Sequence, residues 1–126
     1  MMNIDSPNCP FCHPEHMLFE DDLAYAIADK FPVNPGHLLI IPKRHVADFF
    51  QTTGAERTVL LSLLDQAKHY LEGKLAPAGY NVGINVGEVA GQTIAHVHIH
   101  LIPRYHGDMQ DPRGGVRGVI PSRQSY

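Results

Sequence analysis

Apolar residues recur at helical spacing in one part of this chain and at strand spacing in much of the rest. Val59, Leu60, Leu63, Leu64, Ala67, Tyr70 and Leu71 form one face of a helix. Thr53 stands three residues before Glu56, the pattern of a capping box, so the helix is predicted to start there. Gly73 is its expected terminator. The run "FEDDLAYAIAD" (19–29) predicts a hairpin or two short strands, with the turn at Asp21 and Asp22. "FPVNPGHLLIIPK" (31–43) predicts a proline-rich turn feeding a buried strand from Leu38 to Ile41. "GYNVGINVG" (79–87) alternates as a strand, and the loop "EVAGQT" then leads into a second alternating run, "AHVHIHLIPR" (95–104). Residues 1–15, with Pro7, Pro10 and Pro14, predict an irregular arm. The glycine- and proline-rich tail, 105–126, predicts mostly loop with one short edge strand near its end. One strong helix among several strands points to an α+β fold with a mainly antiparallel sheet.

Composition narrows the class. A chain of 126 residues supports one hydrophobic core, so residues 1–126 are expected to form a single domain. A net charge of −3 argues against a nucleic-acid duplex as partner, which calls for a strongly basic face. A nucleotide remains open. No apolar run reaches the length of a bilayer-spanning helix, so no membrane association is expected. The opening stretch lacks the basic region and apolar run of a secretory signal. Both cysteines fall in one C-x-x-C, Cys9 and Cys12, which suits a metal or redox pair better than a structural disulfide. The expected location is a reducing cytoplasm.

The candidate chemistry lies in "HVHIH". Side chains alternate faces along a strand, so His96, His98 and His100 are expected on one face, with Val97, Ile99 and Leu101 on the other. Successive histidines would then stand about 6.6–6.8 Å apart, a row of contacts suited to an extended ligand. Two of them could also converge on a metal if a further ligand came from elsewhere. Just upstream, Gly87, Gly91, Gln92 and Thr93 place small residues, an amide and a hydroxyl where backbone N–H groups can form a nest for phosphate.

The motif His-φ-His-φ-His-φ-φ, read here as "HVHIHLI", resembles the signature of the histidine triad (HIT) family of nucleotide hydrolases and transferases. "FEDDLAYAIAD", "PGHLLIIPKRH" and "INVGEVAGQT" precede it in the order and spacing of that family, and "DPRGGVRGVIP" resembles the tail of a bacterial and archaeal branch that includes diadenosine polyphosphate hydrolases. The resemblance implies a HIT-like fold: a five-stranded, mainly antiparallel sheet with one long helix and a shorter helical segment. It also implies a homodimer joined through sheet edges. It gives His98 the role of nucleophile on the α-phosphorus, through a nucleotidyl-histidine intermediate, and His100 that of phosphate contact and leaving-group assistant, with His96 completing the catalytic triad. Gly91, Gln92, Thr93 and Asn85 fall on phosphate-side positions, and Asp29 on the position that holds the ribose hydroxyls. Phe11 falls where relatives set an apolar wall against the base, with plain core packing as the alternative.

In branches that keep the cysteine pair, the resemblance implies structural zinc held by Cys9, Cys12, His45 and His96. His13, His16, His37, His69 and His106 are read as ordinary, His37 as structural. The expected activity is hydrolysis of a dinucleoside polyphosphate (Ap4A or Ap3A) or an adenosine phosphoramidate. The intact His100 sets hydrolysis ahead of nucleotidyl transfer, because the uridylyltransferase branch carries glutamine there. The alternatives are a transferase or phosphorylase of the same family, a metal-dependent hydrolase, and a non-catalytic nucleotide-binding regulator.

Overall fold

The computed structural model describes residues 6–126, so the first five residues of the predicted arm lie outside the described residues. The sheet comprises β1 (Phe19–Glu20), β2 (Ala24–Ala28), β3 (Leu38–Pro42), β4 (Gly79–Ile84) and β5 (Ile99–Arg104). Their order across the sheet is β1-β2-β3-β5-β4, and every neighbouring pair is antiparallel. β1 and β2 form the predicted hairpin, closed by the amide of Asp21 donating to the Ala24 carbonyl at 2.8 Å.

The single long helix, α1 (Gly54–Lys74), starts at the predicted capping box. The Glu56 amide donates to Thr53 Oγ1 at 3.0 Å, and the Thr53 amide donates to Glu56 Oε1 at 2.8 Å. Arg44 grips the same carboxylate with two hydrogen bonds of 3.0 and 2.8 Å. Gly73 does not stop the helix. It runs on to Lys74, and the left-handed residue is Ala76, at φ 49°. Pro77 supplies the stop, because the residue before a proline is disfavoured in the helical region.

β3 explains the layering. Leu38 and Ile40 pack against Leu60, Leu63, Ala67 and Leu71 of α1, together with Ala24, Ala26, Ile99 and Leu101. Leu39 and Ile41 point the other way and pack with Cys9, Phe11 and Tyr25. A continuous apolar run is what a strand buried on both faces requires. The arm is therefore a second cover for the sheet.

Two further expectations fail. The tail holds no strand among the described residues; it closes instead into 3-10 turns at Gly115–Val119 and Pro121–Arg123. The ladder of β5 begins only at Ile99, so His96 and His98 stand in the irregular lead-in and not on a regular strand. The lead-in is instead held by the Val97 amide donating to the Val46 carbonyl at 2.8 Å.

Candidate active site and metal centre

Each triad histidine meets a different set of partners. His98 Nδ1 lies 2.9 Å from the backbone carbonyl oxygen of His96. A carbonyl only accepts, so Nδ1 carries the proton and Nε2 of the neutral ring keeps its lone pair. The ring of Phe11 abuts His98 edge-on, with centroids 5.0 Å apart. His98 itself is 9% exposed.

His100 belongs to a relay that starts in the backbone. The Val33 amide donates to His37 Nδ1 at 3.0 Å, so the proton of neutral His37 sits on Nε2. That nitrogen lies 3.0 Å from His100 Nδ1 and 3.3 Å from an oxygen of Asp29. His100 Nδ1 is thus an acceptor, and its own proton is on Nε2. Burial, together with the neighbouring His98 and His37, lowers the pKa of His100 to about 4. Burial likewise lowers that of His37, against the opposing pull of Asp29. Both rings are kept neutral, and the outermost N–H is available as a donor.

His37, expected to be structural, is thus a functional candidate. Its signal was a histidine at the mouth of an apolar strand, and it is 3% exposed. The other four histidines read as ordinary, His13, His16, His69 and His106, are all exposed.

His96 faces away from this pair. Its Nε2 lies 2.7 Å from the Pro42 carbonyl, so the proton is there and Nδ1 keeps the lone pair. Nδ1 lies 3.4 Å from Cys9 Sγ and 3.6 Å from Cys12 Sγ, while His45 Nδ1 lies 3.2 Å from Cys12 Sγ. The four ligand atoms of Cys9, Cys12, His45 and His96 all fall within 4.8 Å of one another. On one tetrahedral zinc a sulfur and a nitrogen stand about 3.6 Å apart, so the donor set fits. The backbone carbonyl behind His96 is the outer partner that a metal-bound imidazole needs. Tyr25 holds this corner by donating its hydroxyl to the Phe11 carbonyl, between the two cysteines.

Phe11 is 7% exposed and belongs to the core cluster of the arm. Its neighbours are His98 and His96, so in this arrangement it packs the His98 ring and offers little face to a base. Asp29 is committed twice, accepting from the Phe31 amide at 2.9 Å and facing His37. Gln92 is committed more fully. Its amide donates to the carbonyls of Ala47 and Ile94, and its oxygen accepts from the Gly87 amide. It clamps the loop that carries Gly91, at φ 95°, and the exposed Thr93. Asn85 lines a cleft of about 470 Å³ together with His37 and His100.

The model of the HIT domain family matches residues 12–107. The chain belongs to the HIT family. This HIT chain is 38% identical over 87 residues to a Mycobacterium tuberculosis protein named AP-4-A phosphorylase, a match covering 68% of this chain and 45% of that one. The chain thus spans less than half the length of that relative. A Schizosaccharomyces pombe protein named bis(5'-nucleosyl)-tetraphosphatase (asymmetrical) is 34% identical over 95 residues, covering 75% of this chain and 52% of the relative. Among solved structures, a HIT family protein from Bacillus anthracis superposes with a TM-score of 0.75 at 34% identity, covering 82% of this chain and 78% of that one. A zinc-bound histidine triad family protein from Mycobacterium smegmatis gives 0.74 at 31% identity, covering 82% and 80%. No helix among the described residues is long and apolar enough to cross a membrane.

Proposed function

We propose that this HIT protein hydrolyses a nucleotidyl substrate at its α-phosphate through a covalent intermediate on His98. The hydrogen bond from His98 Nδ1 to the His96 carbonyl carries the reading, because it leaves Nε2 as a free nucleophile. Nε2 attacks the α-phosphorus and the bond to the leaving group breaks. His100 Nε2–H, backed by His37, donates to the phosphoryl oxygens or to the departing atom. The protonated imidazole of the adduct then loses its nucleotidyl group to water, which restores His98. Asp29 is proposed to receive the ribose hydroxyls, and Asn85, Gly91, Gln92 and Thr93 to border the phosphates, Gln92 by holding its loop. Phe11 is proposed to pack His98.

Among the described residues, two groups of His, Cys, Asp and Glu lie close enough to share an ion, and His98 is in neither. The other two triad members each belong to one, His96 with Cys9, Cys12 and His45, and His100 with Asp29 and His37, which leaves His98 as the ring free for covalent chemistry. At Cys9, Cys12, His45 and His96, zinc would act as an anchor for the arm and supply no reacting group. β4 is an edge strand of the sheet, which supports pairing of two copies into a homodimer. A cytoplasmic location fits the reduced cysteine pair that such a site needs.

The test is to incubate the protein separately with Ap4A, Ap3A and an adenosine phosphoramidate, quench, and seek an AMP adduct on His98 by mass spectrometry. The adduct should form, and His98→Asn should abolish both adduct and turnover. Full activity in that variant would overturn the reading. A second reading, phosphorolysis, is favoured by the identity to the protein named AP-4-A phosphorylase. Adding inorganic phosphate separates the two, because phosphorolysis of Ap4A releases ADP where hydrolysis releases AMP.

A further inference from the structure

Cys9 and Cys12 form a sulfur pair as well as half of a metal site. The Cys12 amide donates to the Cys9 carbonyl at 3.2 Å, a turn that brings both sulfurs to one side. His96 Nδ1 stands 3.4 Å from Cys9 Sγ and 3.6 Å from Cys12 Sγ. The two sulfurs lie within 4.8 Å of each other, a bound that holds for all four ligand atoms. Cys9 is 7% exposed, whereas Cys12 is half-buried. One sulfur is therefore within reach of a small solute, and the second stands behind it, ready to resolve whatever the first becomes.

Two short links join this pair to His98. The first is His96, which is fully buried. Its Nδ1 faces the sulfurs, its Nε2 is held by the Pro42 carbonyl, and its own carbonyl lies 2.9 Å from His98 Nδ1. The second is Phe11, which stands between the cysteines in the chain and abuts His98 edge-on, with centroids 5.0 Å apart. Phe11 packs with Cys9, Tyr25, Leu39 and Ile41, and Tyr25 holds its carbonyl. Buried side chains this closely set pass a displacement on to their neighbours. Two sulfurs on one tetrahedral zinc stand about 3.8 Å apart, and in a disulfide about 2 Å. Closing that gap tightens the turn that carries Phe11 and changes what His96 Nδ1 faces.

We propose that Cys9 and Cys12 are an oxidation site, at which a peroxide converts the metal-binding pair into a disulfide and thereby disarms His98. The effect on turnover rests on the hydrolase reading above. The Cys12 thiolate, the more exposed of the two, attacks the peroxide: an S–O bond forms, the O–O bond breaks and hydroxide leaves. The Cys9 thiolate then attacks the Cys12 sulfur, forming the S–S bond and expelling a second hydroxide. The sulfurs give up two electrons in all, and the peroxide takes them. A disulfide offers no thiolate, so only His45 and His96 remain and the site no longer holds zinc. A thiol reductant reverses the bond and restores the donor set.

The test treats zinc-loaded protein with hydrogen peroxide and reads the covalent state, the metal and His98. Peptide mass mapping should show a Cys9–Cys12 disulfide, and a chromogenic chelator should detect released zinc. NMR of the imidazole nitrogens should show His98 losing its fixed proton on Nδ1. In a single turnover with an adenosine phosphoramidate, the AMP adduct on His98 should form about tenfold more slowly, as expected for a displaced reacting group. Dithiothreitol should reverse the changes at the cysteines and at His98. Cys9→Ser and Cys12→Ser, each checked by thermal melting, should form no such disulfide, and peroxide should leave their adduct rates and imidazole spectra unmoved. Sulfinic or sulfonic acid at Cys12 without a disulfide overturns the proposal. So does a disulfide that leaves either the adduct rate or the His98 spectrum unmoved, or a peroxide effect on His98 that persists in both serine variants. The wild-type comparison before and after dithiothreitol decides the matter even if a serine variant fails to fold. Absence of the adduct in the reduced wild type overturns the hydrolase reading alone, because the mass map and the imidazole spectrum still decide whether oxidation reaches His98.

Discussion

His37 Nε2 lies 3.0 Å from His100 Nδ1, and this one contact sets the tautomer of the ring that faces the cleft. The proton order runs from the Val33 amide through His37 to the outer nitrogen of His100. His37→Ala should therefore cut kcat by about tenfold to a hundredfold, at or below the lower end of what general acid–base catalysis contributes, because the donor stays but its tautomer is no longer fixed. His37→Gln, which keeps a donor and an acceptor, should recover part of the loss. Single-turnover kinetics would locate the defect in adduct formation, and unchanged kcat in His37→Ala would remove His37 from the relay.

Acid should destabilise the fold through His100. Its native pKa is about 4 against an ordinary 6.5, so between these values the unfolded chain binds a proton that the native state refuses. Stability therefore falls as pH drops through that window and levels off below it. Urea midpoints measured from about pH 7 to about pH 4 should decline, and His100→Gln should flatten the decline.

A second acid-sensitive group acts lower. Glu56 has its pKa lowered, first by the hydrogen bond from Arg44, and burial opposes that shift. Its contribution is complete above the ordinary 4.5 and is lost as pH falls through the native value. Glu56→Ala removes both the cap and the Arg44 partner, and should cost about 2 kcal/mol at neutral pH by denaturant titration. A loss confined to a few tenths would mean that Arg44 and Thr53 find other partners.

The Cys9, Cys12, His45 and His96 cluster should bind about one zinc per chain by elemental analysis, and Cys12→Ala should abolish it. Chelation should lower the melting temperature by several degrees, because a metal held there would tie the arm to the sheet and favour the folded chain. Melting that ignores both chelator and added zinc would leave the arm held by packing alone.

Phe11 separates two roles by their readouts. As packing for His98, Phe11→Ala should destabilise the fold by about 3 kcal/mol and slow adduct formation equally for adenine and guanine substrates. As a wall for the base, it would instead raise KM unequally between bases. Phe11→Leu should restore most of the stability in the first case.

The sequence alone determined the elements and the chemistry available to them. Local signals sufficed for the Thr53–Glu56 cap, the buried run Leu38–Ile41 and the hairpin at Asp21, because each depends on neighbours in the chain. The motif order sufficed for the family. What alternation could not decide was how the three histidines divide their work, which only the family resemblance assigned. Alternation predicted one shared face. In the structure, the lead-in to β5 turns His96 toward Cys9 and Cys12, lends its carbonyl to His98, and leaves His100 to pair with His37. Those partners lie 87 and 63 residues away along the chain for His96 with Cys9 and for His100 with His37. Hydrogen-bond donors and acceptors choose roles for an imidazole, and only the packing of distant strands brings them within reach. The tail follows the same rule: its glycines read as loop, while their closure on Gln124 and their place beside His100 exist only in the folded chain.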